Sequence, residues 1–76
     1  MGYSKDTFAH RLVVARAENR MTQDDLAEAA GVSVDAIRVY ETAKNTPRLD
    51  KAYDLAYALG VTIDSLVELP SPSERG

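Results

Sequence analysis

The chain has 76 residues, no Cys and a formal net charge of −3, so it holds one small domain, burying only about 60% of the surface its unfolded form exposes, with neither disulfides nor thiolate zinc sites. Its 45% hydrophobic and 28% charged residues are those of an ordinary globular domain and exclude a disordered chain. No apolar run nears the ~20 residues of a spanning helix, and Met1-Gly2-Tyr3-Ser4-Lys5-Asp6 lacks the pattern of a signal peptide, which predicts a cytoplasmic protein without membrane contact.

Residues 1–7 are expected to form an N-terminal arm. From Phe8 to Arg20, Phe8, Leu12 and Ala15 fall at i, i+4 and i+7, one face of a first helix. Thr22 is a good N-cap with Asp25 three positions on, a capping-box arrangement that opens a second helix over about 23–30. Asp24 and Asp25 suit the positive end of its dipole. Gly31 can take the left-handed conformation that ends that helix sharply. Ser33 caps a third helix that carries Ile37 and Tyr40 and ends at about Glu41 or Thr42.

The stretch 43–48 has no apolar period and contains Pro47, which drives Thr46 out of helical geometry and predicts a loop. In a fourth helix, Leu49, Ala52, Leu55, Ala56 and Leu59 mark the expected buried stripe and Gly60 the end. Tyr53 is expected in the core where that stripe widens, and Tyr57 at the surface. Thr62 caps a short fifth helix whose Ile63, Leu66 and Val67 close the core before Pro70 stops it. Residues 70–76 are expected to be a disordered polar tail. With no strand pattern, the fold class is all-α, a compact five-helix bundle over residues 8–69.

The window from Gln23 to Thr42 carries the functional signal. A helix-turn-helix needs two helices joined by a turn of about 3–4 residues that often contains Gly, crossing so that the second helix faces the DNA major groove. Ala27 supplies the small residue at the crossing and Gly31 the turn, while Leu26, Ala30, Val32, Ile37 and Tyr40 supply the apolar packing positions.

Together with Arg11-Leu12 and Arg16, Thr22 through Glu28, Gly31-Val32-Ser33, Ile37, Tyr40-Glu41, Pro47 and Ala56 through Val61, this window resembles the Cro and cI repressor family, of lambda-repressor-like fold. The resemblance covers residues 8–69 and implies a sequence-specific regulator, in its usual form a repressor, that binds double-stranded DNA as a homodimer and needs no cofactor. It places Val34, Asp35, Arg38 and Val39 toward base edges. Gln23 matches a position that holds a phosphate and braces the recognition helix; Thr42, Lys44 and Asn45 match backbone-contacting positions, and Thr22 and Ser33 join them as phosphate-contacting candidates. Arg16 and Glu41 match an internal ion pair between the first and third helices.

The departures from the family pattern are as informative. Val34, Asp35 and Val39 stand where members often carry Gln, Arg, Lys or Ser, and none can make the bidentate contact that guanine takes from Arg or Lys. Valines can meet thymine methyls, and Asp35 can accept from cytosine N4 or simply favour the helix dipole. Ala43 stands where members often have Gly, which predicts strain in that turn. The expected dimer surface includes Tyr57, Val61, Ile63 and Val67, with Tyr53 a further candidate. The acidic net charge and the two valines leave open an alternative, a protein-interaction or antitoxin-like module with weak DNA binding. His10, the only His, is a surface residue without a metal or nucleophilic partner. Scattered carboxylates and the lack of a Gly-rich phosphate loop argue against an enzyme.

Overall fold

The computed structural model describes residues 5–67, and within them the chain forms five α-helices and no strand: α1 (Lys5–Glu18), α2 (Gln23–Ala30), α3 (Val34–Glu41), α4 (Leu49–Leu59) and α5 (Ile63–Val67). The all-α bundle expected from the apolar spacing is therefore the observed fold. Helix α1 starts at Lys5 and ends at Glu18, so residues 5–7, expected in an arm, form its first turn. The rest of that arm, the expected domain end at Leu69 and the polar tail over 70–76 lie outside the described residues.

Short polar residues open three of the helices. The Thr22 hydroxyl accepts from the Asp25 N–H at 3.0 Å while the Thr22 N–H donates to the Asp25 carboxylate at 3.0 Å, a reciprocal capping box. The Ser33 hydroxyl accepts from the Ala36 N–H at 3.1 Å, and the Thr62 hydroxyl from the Ser65 N–H at 3.2 Å. Each cap satisfies a first-turn N–H that the helix itself leaves without a partner.

Four helix exits share one device, a left-handed residue followed by an N–H that reaches back to the carbonyl five positions earlier. The bonds are Met21 N–H to Arg16 O, Val32 N–H to Ala27 O, Lys44 N–H to Val39 O and Val61 N–H to Ala56 O, all between 3.0 and 3.2 Å. Gly31 (φ 72°) and Gly60 (φ 71°) take the left-handed position without steric cost, whereas Arg20 (φ 57°) and Ala43 (φ 62°) carry a Cβ there. The strain expected at Ala43 is present, and Arg20 adds a second such site that the sequence did not signal.

Every helix contributes to one core. Phe8 and Leu12 from α1, Leu26 from α2, Ile37 from α3, Leu55 from α4 and Leu66 from α5 are fully buried, each stabilising the fold by about 1.5–3 kcal/mol through lost apolar hydration. The Phe8 ring meets Tyr40 edge-on, with centroids 6.5 Å apart, which packs α3 on α1. The Asn19 amide donates to the carbonyls of Ala15 (2.9 Å) and Leu59 (3.0 Å), tying the ends of α1 and α4 together.

Two expected core residues of α4 are instead at the surface: Leu49 is 75% and Tyr53 58% exposed. The buried stripe is Ala52, Leu55, Ala56 and Leu59, spaced i, i+3, i+4, i+7. Leu49, Tyr53 and Tyr57 follow one another by four, and at 3.6 residues per turn such a row drifts away from that stripe. It forms a second face, on which the rings of Tyr53 and Tyr57 stack at 6.3 Å.

Candidate nucleic-acid interface

The helix pair α2–α3 joins through the Gly31 turn, with Leu26 and Ala27 buried on one side and Ile37 on the other. Burying Ile37 and half-burying Tyr40 turns the opposite side of α3 outward. On that side Asp35 and Arg38 are exposed and Val39 is half-buried, while Val34 is half-buried against the core. Arg38 Nη1 donates to Asp35 Oδ1 at 3.1 Å, an i, i+3 pair in the open. Of the four expected base-facing residues, three thus project from α3 and Val34 lies partly beneath them.

The other end of α3 is clamped. Arg16 from α1 meets Glu41 through a two-point contact, Nε to Oε2 at 2.7 Å and Nη2 to Oε1 at 3.1 Å. Its third nitrogen, Nη1, donates to the Met21 carbonyl at 2.9 Å, just after α1. Gln23, the first residue of α2, donates from Nε2 to Glu41 Oε1 at 3.0 Å. One carboxylate therefore takes donors from two other helices. The Glu41 side chain is 6% exposed and that of Arg16 20%, so the pair is shielded from water and stronger than a solvated surface pair. The ion pair matches the expectation for Arg16 and Glu41; the Gln23 bond adds α2 to it. The resemblance gave Gln23 as a brace on the recognition helix without its partner; Glu41 is that partner because tertiary packing sets the start of α2 beside it.

The remaining phosphate-contacting candidates differ in what their side chains are free to do. Gln23 uses one amide hydrogen on Glu41 and keeps the second. Thr22 and Ser33 accept from their own helices through oxygen lone pairs, which leaves each hydroxyl proton available as a donor. Thr42 donates its hydroxyl back to the Arg38 carbonyl at 2.8 Å, so it would have to break that bond to donate to a phosphate. Lys44 and Asn45 are exposed just beyond the Ala43 turn, with Asn45 Oδ1 accepting from the Thr46 N–H at 2.9 Å.

Among the expected dimer-surface residues, Tyr57 is fully at the surface, whereas Val61, Ile63 and Val67 are half-buried and pack on the core. Tyr57, Val61 and Ile63 border one shallow depression, Leu49, Tyr53 and Ile63 the one beside it. Leu49 was not among the residues expected there; a row of large apolar residues every four positions is the signal that finds it beside Tyr53. Among the described residues no group of acidic, His or Cys side chains is arranged to hold a metal, and no helix is long and apolar enough to cross a membrane.

Comparison with known proteins agrees with this arrangement. A helix-turn-helix family model matches residues 12–66, most of the chain. An uncharacterized HTH-type transcriptional regulator of Methanocaldococcus jannaschii is 37% identical over 57 residues, covering 75% of this chain and 86% of the relative. Among solved structures, a hypothetical transcription factor from Neisseria superposes with a TM-score of 0.80 at 27% identity, over 93% of this chain and 79% of its own. The c2 repressor of phage P22, solved in complex with a synthetic operator, has a TM-score of 0.76 at 26% identity, over 80% of this chain and 92% of that one.

Proposed function

The chain belongs to the helix-turn-helix family of DNA-binding transcription regulators of the Cro and cI repressor type, and on that premise we propose that it is a repressor that reads double-stranded DNA with the exposed side of α3. Asp35, Arg38 and Val39 face the base edges, Val34 supports them from below, and Thr22, Gln23, Ser33, Lys44 and Asn45 hold the flanking phosphates. Thr42 joins them once its hydroxyl turns outward. Phosphate contacts fix the register of the protein on the duplex, and the side chains of α3 read the sequence. The family binds DNA and does not catalyse a reaction, so no substrate or cofactor is assigned.

The observation that carries this reading is the clamp at Glu41. Arg16 and Gln23 converge on one shielded carboxylate, so the recognition helix is braced at its C-terminal end and Gln23 keeps an amide hydrogen beside it. A bracing contact and a phosphate donor are thus combined in one side chain. The protein acts as a homodimer on two half-sites about one helical turn, ~34 Å, apart, joined through the apolar face around Tyr57, Val61 and Ile63, with Val67 at its edge. On this reading it works in the cytoplasm, where its operator lies.

In-vitro selection of random duplex DNA at low salt tests the proposal, followed by titration of the enriched site across a salt series. A two-half-site motif whose affinity falls steeply with salt is the expected result, because phosphate contacts release counterions. The second reading, a protein-binding module, is favoured by the exposed acidic residues Asp24, Asp25 and Asp35 near the expected DNA side. It predicts no enriched sequence and negligible DNA binding even at low salt.

A further inference from the structure

We propose that Asp35 and Arg38 act as one specificity element, in which Asp35 aims Arg38 at a guanine and thereby sets the base preference of the half-site. The inference rests on α3 being the reading helix and goes beyond it by assigning the base and the residue that positions the reader.

Asp35 sits in the first turn of α3, where its carboxylate lies near the positive end of the helix dipole. It faces Arg38 one turn on, and the bond from Nη1 to Oδ1 at 3.1 Å engages a single nitrogen of the guanidinium. Among the described residues no other group takes the Nε–Nη2 edge of Arg38 or Oδ2 of Asp35. That edge is the two-donor fork that matches guanine O6 and N7. A carboxylate oxygen accepts from the cytosine N4 amino group, so the couple presents a donor fork beside an acceptor, the complement of the two acceptors of guanine and the N4 donor of cytosine in the major groove.

The valines on the same helix offer apolar contact alone, which leaves Arg38 as the one side chain of the reading face able to make a bidentate base contact. An unheld Arg loses rotamer freedom on binding and is drawn to any nearby phosphate. The ion pair restrains it before contact. In water so exposed a pair contributes little to stability; between protein and DNA, where water is displaced, the same charges interact more strongly. Asp35 is therefore a positioning residue for Arg38, and its cost in phosphate repulsion is offset by discrimination.

Selection from random duplex DNA with the full chain tests this, comparing the parent with Asp35→Ala, Asp35→Asn, Arg38→Ala and Arg38→Lys, each checked for helicity and melting. The parent is expected to enrich guanine at one position per half-site, favoured by about tenfold or more over other bases. Arg38→Ala should lose that preference, whereas Arg38→Lys, which keeps the charge and can still reach guanine but lacks the planar fork that Asp35 aligns, should keep overall affinity with a weakened preference. Asp35→Ala and Asp35→Asn should relax the same position, and the double alanine variant should be no less selective there than Arg38→Ala alone. If Asp35→Ala binds every sequence more tightly with the guanine preference unchanged, Asp35 only repels phosphate and the inference is overturned while the DNA-binding function stands. If the parent itself enriches no sequence, the function fails and the inference with it.

Discussion

Replacing Arg16 by Ala tests the clamp where the structure makes its sharpest demand. The variant strips two donors from Glu41, the 2.7 Å and 3.1 Å contacts, and leaves a carboxylate that is 6% exposed with only the neutral Gln23 amide. Removing one member of a buried pair costs about 3–5 kcal/mol. Because Arg16 is 20% exposed, water reaches the vacated side, so the lower end, about 3 kcal/mol, is expected. The reverse change, Glu41→Ala, leaves Arg16 bonded to the Met21 carbonyl and 20% exposed, and should cost less, about 2 kcal/mol. At about 4–8 °C per kcal/mol for a domain of this size, Arg16→Ala should lower Tm by roughly 12–24 °C. Urea denaturation followed by circular dichroism gives the free energies, and the Arg16→Ala/Glu41→Ala double variant closes the cycle. A coupling below about 0.5 kcal/mol, the level at which independent sites add, would refute the clamp. So would an Arg16→Ala cost no larger than that of Glu41→Ala, because burial of Glu41 is what makes the two unequal.

Ala43 sits at φ 62°, so Ala43→Gly should stabilise the domain by about 1 kcal/mol, since only Gly escapes the left-handed penalty; unchanged or lower stability in urea titration would contradict this. Lys44→Ala should reduce the dependence of log affinity on log salt by about one per protomer, whereas Gln23→Ala should weaken binding with an unaltered slope, because the amide displaces no counterion. Equal slopes for both variants in fluorescence anisotropy would remove Lys44 from the phosphate contacts. Leu49→Asp, on an exposed site of α4, should leave helicity intact and shift sedimentation from dimer to monomer; a variant that dimerises as the parent does would move the interface away from this face.

Local chemistry accounts for the parts that the sequence by itself determined. Thr22, Ser33 and Thr62 announce helix starts because a side-chain oxygen one residue before a helix meets an N–H with no other partner. Gly31 and Gly60 announce ends because they take the left-handed position freely. The helical apolar period that runs through Ala52, Leu55, Ala56 and Leu59 is visible in its spacing. Each signal needs only residues a few positions apart.

Tertiary structure decided the rest, because it depends on how helices distant in sequence are set against one another. Leu49 and Tyr53 look as apolar as their core neighbours, but their row rotates off the packed side of α4, and only the position of that helix on the core shows which row is covered. The left-handed residue at Arg20 follows from where α1 must end to hand the chain to Thr22, not from any preference of Arg. The resemblance paired Arg16 with Glu41, yet the convergence of Gln23 on the same oxygen exists only once α1, α2 and α3 have packed. A charged group that is nearly buried must collect its donors from whatever elements surround it, and those elements are chosen by the core.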